Sequence, residues 1–146
     1  MSVRRLGIAD LPTANLIVSR FMGSSRLDSW DFLADPYTLL LVAEDGGKAV
    51  GWLYGYELPR PDGRRMMLIQ RIEVDTAFRH RGHGRALVDA ALKVARDRGH
   101  AEVVATANAG DPSARALFAV SGARQEQMRQ MYRWSLGDGH NVLGAR

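Results

Sequence analysis

The chain contains no cysteine among its 146 residues. Disulfides, cysteine–zinc sites and a thiol nucleophile are thereby excluded, and no acyl group can pass through a cysteinyl intermediate. It also lacks any run of about 18 or more apolar residues, the length needed to cross a bilayer as a helix. The N-terminus "MSVRRLGIADL" carries neither the apolar stretch nor the cleavage site of a secretory signal. A soluble cytoplasmic protein with no membrane partner is the expectation. The four histidines offer no metal set, because His80 and His83 have no carboxylate or cysteine at ligand spacing. They are expected to be solvated or phosphate-facing loop residues.

What is present is enough apolar chain for one core: 46% of the residues are hydrophobic. A single domain over residues 1–136 is expected, followed by a flexible polar and glycine-rich tail over 137–146. The net charge of +4 admits an anionic partner without choosing one.

The pattern along the chain is an alternating α/β one. "IADLPTANLIVSRFM" predicts a helix with Asp10 as N-cap and Ala14, Ile17, Val18 and Phe21 on one face. "RLDSWDFLA" predicts a second, short helix. "YTLLLVAE" and "AVGWLYGYEL" flank the turn "DGGK" and predict a β-hairpin. "MMLIQRIEV" is apolar on both faces and predicts a strand with neighbours on either side. Ala86, Leu87, Ala90, Ala91, Val94 and Ala95 repeat at helical spacing, with Gly99 as a left-handed stop. "AEVVATA" then predicts a strand parallel to "MMLIQRIEV" in a βαβ unit. "DPSARALFAVSG" predicts a late helix, capped by Asp111 with Pro112 in its first turn. "ARQEQMRQMYRWSL" predicts two further strands, or a single bent one. Met66, Met67, Met128 and Met131 are expected in the core or a pocket wall; Trp30, Trp52 and Tyr56 could line an acceptor cleft, with core packing favoured for Trp52.

The stretch "RHRGHGR", from Arg79 to Arg85, lies between a strand and a helix. Free N–H groups and the dipole at a helix N-terminus favour an anion, and glycines at 82 and 84 allow close backbone approach. Arg79, Arg81 and Arg85 add positive charge. The dinucleotide fingerprint G-x-G-x-x-G fails, since Leu87 stands where its third glycine belongs, and the P-loop is absent. The pattern that fits is R-x-x-G-x-G, read as Arg79-His80-Arg81-Gly82-His83-Gly84. With "IEVDTAFRHRGHGRALVDAAL" and "DPSARALFAVSGA" in order, this resembles the GNAT acetyltransferase superfamily over roughly residues 3 to 135.

That resemblance implies a single GNAT-like domain, a central mixed twisted sheet flanked by helices with two central parallel strands splayed apart. It implies acetyl-CoA as co-substrate, and no metal. Ile72, Glu73 and Val74 would face the pantetheine arm. Arg79, His80, Arg81, Gly82, His83, Gly84 and Arg85 would form the pyrophosphate turn. Ala114 and Phe118 would wall the slot, and a backbone N–H near Val74 would polarise the thioester. Direct attack by a neutral amine needs a base, and a departing thiolate is helped by an acid. Glu73 is the preferred base, unless it and Arg71 form only an ion pair on one strand face; its orientation depends on whether the strand bulges. Asp111 could reach the acceptor side or act only as a cap. Many relatives carry a tyrosine where this chain has Phe118, so Tyr132 or a water would protonate the thiolate. Relatives often pair through their final strands, which makes a homodimer the implied partner.

"GYELPRPDGRR" and "AGDPSARALFAVSGARQEQM" are similar to the GNAT-type aminoglycoside 3-N-acetyltransferases. The implied acceptor is a small-molecule amine, polycationic in that case and met by carboxylates drawn from Asp28, Asp31, Asp35, Glu57, Glu73, Asp111 and Glu126. Another amine, such as a polyamine, an amino acid or a protein N-terminus or lysine, is the alternative. A nucleic-acid module built on Arg64, Arg65, Arg71, Arg79, Arg81 and Arg85 is disfavoured, because those arginines gather at the turn without interleaved aromatics.

Overall fold

A computed structural model of the protein describes residues 1–23 and 28–137. Strands β1 (Ser2–Arg5), β2 (Thr38–Asp45), β3 (Lys48–Pro59), β4 (Arg65–Val74) and β5 (Val103–Ala105) form one sheet in sequence order. β1 to β4 pair antiparallel, and β5 joins β4 in parallel, with α3 (His83–Asp97) between them. Helices α1 (Leu11–Met22) and α2 (Trp30–Ala34) precede β2, and α4 (Pro112–Val120) follows β5. Among the described residues, no helix is long and apolar enough to cross a membrane.

Alternation along the strands divides the core in two. Leu39, Leu41 and Ala43 of β2 pack with Leu53, Met67 and Ile69 against Leu87, Ala91 and Ala95 of α3. Leu40 and Val42 point the other way and meet Trp52 together with Ala14 and Ile17 of α1. The sheet is thus a filled layer between α3 on one face and α1 with α2 on the other. The hairpin turn places Gly46 and Gly47 at positive φ (59° and 78°), the conformation that "DGGK" foretold. Trp52 is 1% exposed, as its core assignment required.

Three features depart from the sequence pattern. β1 had no signal: its four residues are mostly exposed and contain two arginines, with only Val3 packing inward. Asp10 precedes α1 without capping it by its side chain; its carboxylate instead accepts from the Gly7 N–H at 2.9 Å. The expected strands in "ARQEQMRQMYRWSL" are absent among the described residues, and Met128, Met131, Tyr132, Trp134 and Leu136 are exposed. The apolar positions there, 128, 131, 132, 134 and 136, do not keep strict alternation, so no register buries them all on one face. The expected tail over 137–146 lies outside the described residues, save position 137.

Candidate active site

β4 changes face partway along. Tyr54 of β3 stands opposite Arg71 while Gly55 stands opposite Ile69, so Gln70 is an extra residue and β4 bulges there. Before the bulge, Met67 and Ile69 point to α3; beyond it, Ile72 and Val74 take over that side. Arg71 and Glu73 are therefore turned to the α1 face. Without the bulge, simple alternation from Ile69 would bury both charged side chains under α3. Gly55 permits the close approach: a Cβ there would lie 2.3 Å from the Leu68 carbonyl oxygen.

On the α1 face, Glu73 is about one third exposed and pairs with the Arg71 guanidinium. Trp52 Nε1 donates to Glu73 Oε1 at 3.3 Å, and Arg71 also donates to the Phe21 carbonyl at 3.0 Å. The carboxylate is held in a defined place by two donors, and the ion pair foreseen as the alternative reading is present. Beside it runs an aromatic row. Trp52 stacks on Phe21 (5.7 Å between centroids) and tilts against Tyr54 (4.9 Å), and Phe32 meets Tyr54 edge-on. Burial pushes the Tyr54 phenol above its ordinary range, with Tyr56 adding to the effect, so its hydroxyl stays neutral at physiological pH. A cleft of about 210 Å³ opens here, with Val18, Met22, Asp28, Phe32, Tyr54 and Tyr56 among its walls.

Past Ile69 the two parallel strands part. β5 pairs with β4 only at Met67, Leu68 and Ile69, leaving the stretch from Ile72 to Val74 open on that side. A short 3-10 turn (Thr76–Phe78) leads into the basic loop. His80 (φ 63°) and Gly82 (φ 88°) are both left-handed, a turn that lets successive backbone N–H groups converge. The Ala86 N–H is bonded to the Gly82 carbonyl, and the N–H groups of the α3 first turn point out of the helix. Arg79 donates from Nε to the Val74 carbonyl at 3.3 Å, Arg81 lies over the Phe78 ring at 5.0 Å, and Arg85 pairs with Asp89. These residues fit a polyanion such as a pyrophosphate.

His83 corrects the sequence reading. It is 1% exposed, turned inward, with Nε2 3.0 Å from Asp45 Oδ2 at the end of β2. It thus holds the hairpin turn against the start of α3 and does not face solvent, whereas His80 is exposed. Among the described residues, no group of three histidine or carboxylate side chains is placed to hold a metal.

The late helix completes the surroundings. Asp111 caps α4, accepting from the Ala114 N–H at 3.1 Å. Leu117, which the sequence reading passed over, packs on the turn: a Cβ at Gly84 would come 3.2 Å from it. Ala114 and Phe118 are half-buried on the same helix. Tyr132 is exposed, and its hydroxyl donates to Gln130 at 3.0 Å. Met128 and Met131 are equally outside the core. The carboxylates expected to converge do not all do so. Glu57 is buried far along β3 with Arg98 and His100, and Glu126 pairs with Arg124. Asp28 lines the cleft, while Asp31 and Asp35 are exposed on and after α2.

Residues 6–123 match the family model described as "Acetyltransferase (GNAT) family". The chain belongs to the GNAT acetyltransferase family. Rat (Rattus norvegicus) N-acetyltransferase 8 is 35% identical over 74 residues, covering 50% of this chain and 33% of that protein. The mouse (Mus musculus) probable N-acetyltransferase family 8 member 5 is 34% identical over 82 residues, 56% of this chain and 36% of its own. The chain thus spans about a third of the length of these curated GNAT relatives. An aminoglycoside acetyltransferase from an uncultured soil metagenomic sample, solved with sisomicin, has a TM-score of 0.82 at 23% identity, covering 93% of this chain and 96% of that one. Ribosomal-protein-alanine N-acetyltransferase from Brucella melitensis biovar Abortus 2308 gives 0.75 at 23%, covering 92% and 100%. At these identities the likeness is one of fold, and it confirms the GNAT architecture.

Proposed function

We propose that this protein is an N-acetyltransferase that moves the acetyl group of acetyl-CoA onto a primary amine by direct attack. The observation that carries this reading is the course of β4. The strand presents a carboxylate on the α1 face at Glu73, opens its edge from Ile72 to Val74, and runs directly into the anion-binding turn. Acetyl-CoA, when bound, supplies the acetyl thioester. The turn from Arg79 to Arg85 holds the pyrophosphate, the open edge of Ile72, Glu73 and Val74 orients the pantetheine arm, and Ala114 and Phe118 wall the slot. The Val74 N–H stabilises negative charge developing on the carbonyl oxygen. Glu73, directly or through a water, takes the proton that the ammonium must lose to become the attacking amine. Arg71 keeps that carboxylate aimed. Protonation of the leaving thiolate falls to water or to Tyr132, since Phe118 has no proton to give.

Within this class, the 3-amine of an aminoglycoside is the finer reading drawn from the sequence, and another small amine is its alternative. Aromatic walls able to stack on sugar rings support the first; a single carboxylate lining the cleft among the described residues favours the second. Release of coenzyme A thiol from acetyl-CoA, followed across aminoglycosides, polyamines, amino acids and a lysine peptide, tests the proposal. Saturable, amine-dependent release with an N-acetylated product is the expected result. Absence of acetyl-CoA protection against thermal unfolding, together with no release, would overturn it.

A further inference from the structure

The acceptor can be narrowed by charge and surface, on the footing that the protein is an amine acetyltransferase. The cleft beside Glu73 has a floor of Trp52 and walls of Phe32, Tyr54, Tyr56, Val18 and Met22. It adjoins the reacting centre, because Trp52 both floors it and donates to Glu73. Asp28 is the one carboxylate lining it among the described residues, and its Oδ1 already accepts from the Trp30 N–H at 3.1 Å. Glu73 is paired with Arg71, whose cation stands on the same face. A polyamine or aminoglycoside would bring several ammonium groups to a surface lined by one carboxylate among the described residues, and each unpaired charge pressed against aromatic walls carries a desolvation cost. A single ammonium on an apolar or aromatic body meets no such cost: its body lies on the ring faces, which also attract a nearby cation.

We infer that the acceptor is a monoamine bearing an arene or comparable apolar group, lying against the aromatic wall of Phe32, Tyr54 and Tyr56 with its amine toward Glu73. The transfer balances simply. The amine nitrogen bonds the acetyl carbon, the carbon–sulfur bond breaks, the displaced ammonium proton goes to Glu73, and the thiolate takes a proton from solvent.

The test compares kcat/KM for 2-phenylethylamine and tyramine with that for spermidine and an aminoglycoside carrying a free 3-amine. An advantage of at least about tenfold for the arylalkylamines is expected. Tyr56→Ala should erase most of it by raising the amine KM while leaving the KM for acetyl-CoA unchanged. In parallel, Trp52 fluorescence is read in a Trp30→Phe/Trp134→Phe background with coenzyme A bound and 2-phenylethylamine titrated in. A saturable change supports the proposal even where turnover is slow; its absence overturns it. Turnover confined to the polycations also overturns it but leaves acetyl transfer standing, whereas failure to bind coenzyme A sinks acetyl transfer itself.

Discussion

Gly55→Ala is the substitution that most directly probes the bulge on which the site depends. Its added Cβ would sit 2.3 Å from the Leu68 carbonyl oxygen, 3.2 Å from the Leu68 carbonyl carbon and 3.3 Å from the Ile69 Cα. All three are backbone atoms, so no side-chain rotation relieves the clash. β3 and β4 must part by at least about 0.7 Å to reach the 3.0 Å below which real Cβ contacts are essentially not seen. Overpacking of a core typically costs about 1–3 kcal/mol, and the weakened ladder places this case at about 3 kcal/mol or above. For a domain of this size that is a fall in Tm of about 6–12 °C, read by calorimetry or circular dichroism. The same movement displaces the strand beside Gln70, so kcat should fall at temperatures where the variant is still folded. Gly7→Ala is the control, since nothing lies within 4 Å of its Cβ and its φ is −121°. A Gly55→Ala protein with Tm within about 1 °C of wild type would refute the reasoning.

Asp45→Ala strips buried His83 of its one ring partner, its Nδ1 being already without one; a loss of about 1–3 kcal/mol is expected in urea unfolding, with a raised KM for acetyl-CoA. The Asp10 carboxyl is held below its ordinary range first by the Gly7 N–H and then by Arg4. Its contribution is therefore present above the unfolded-state value near 3.9 and lost as pH falls through the lower folded value. The stability gap between wild type and Asp10→Asn should accordingly be widest near about pH 6 and shrink below about pH 4, as followed by thermal melts across that range. Asp111→Asn retains a competent helix cap and removes only the charge. Unchanged Tm with unchanged kcat would assign Asp111 to capping, and a selective loss of kcat would give it a part in handling the acceptor.

The R-x-x-G-x-G turn was legible because local chemistry dictates it: glycine supplies positive φ, and a strand–turn–helix order exposes N–H groups. The hairpin was legible for the same reason, through Gly46 and Gly47. The direction of Glu73 was not, because it depends on one extra residue at Gln70, and that register is set by the distant Gly55. His83 read as a loop residue since its partner Asp45 lies 38 positions away. Tyr54 and Phe32 carried no signal of their own, and only the folding of α2 over β3 brings them beside the carboxylate. The segment around Tyr132 misled because aromatic and methionine content imitates a strand even where alternation fails.

The central claim is that the bulge aims Glu73 as the base of acetyl transfer. Comparing wild type with Glu73→Gln in coenzyme A release, at saturating acetyl-CoA and acceptor amine, tests it most directly. The account predicts that kcat falls about 10²–10⁴-fold while Tm and the KM for acetyl-CoA stay near wild type. A Glu73→Gln enzyme with wild-type kcat and an unaltered pH profile would contradict it, leaving Glu73 only as the partner of Arg71.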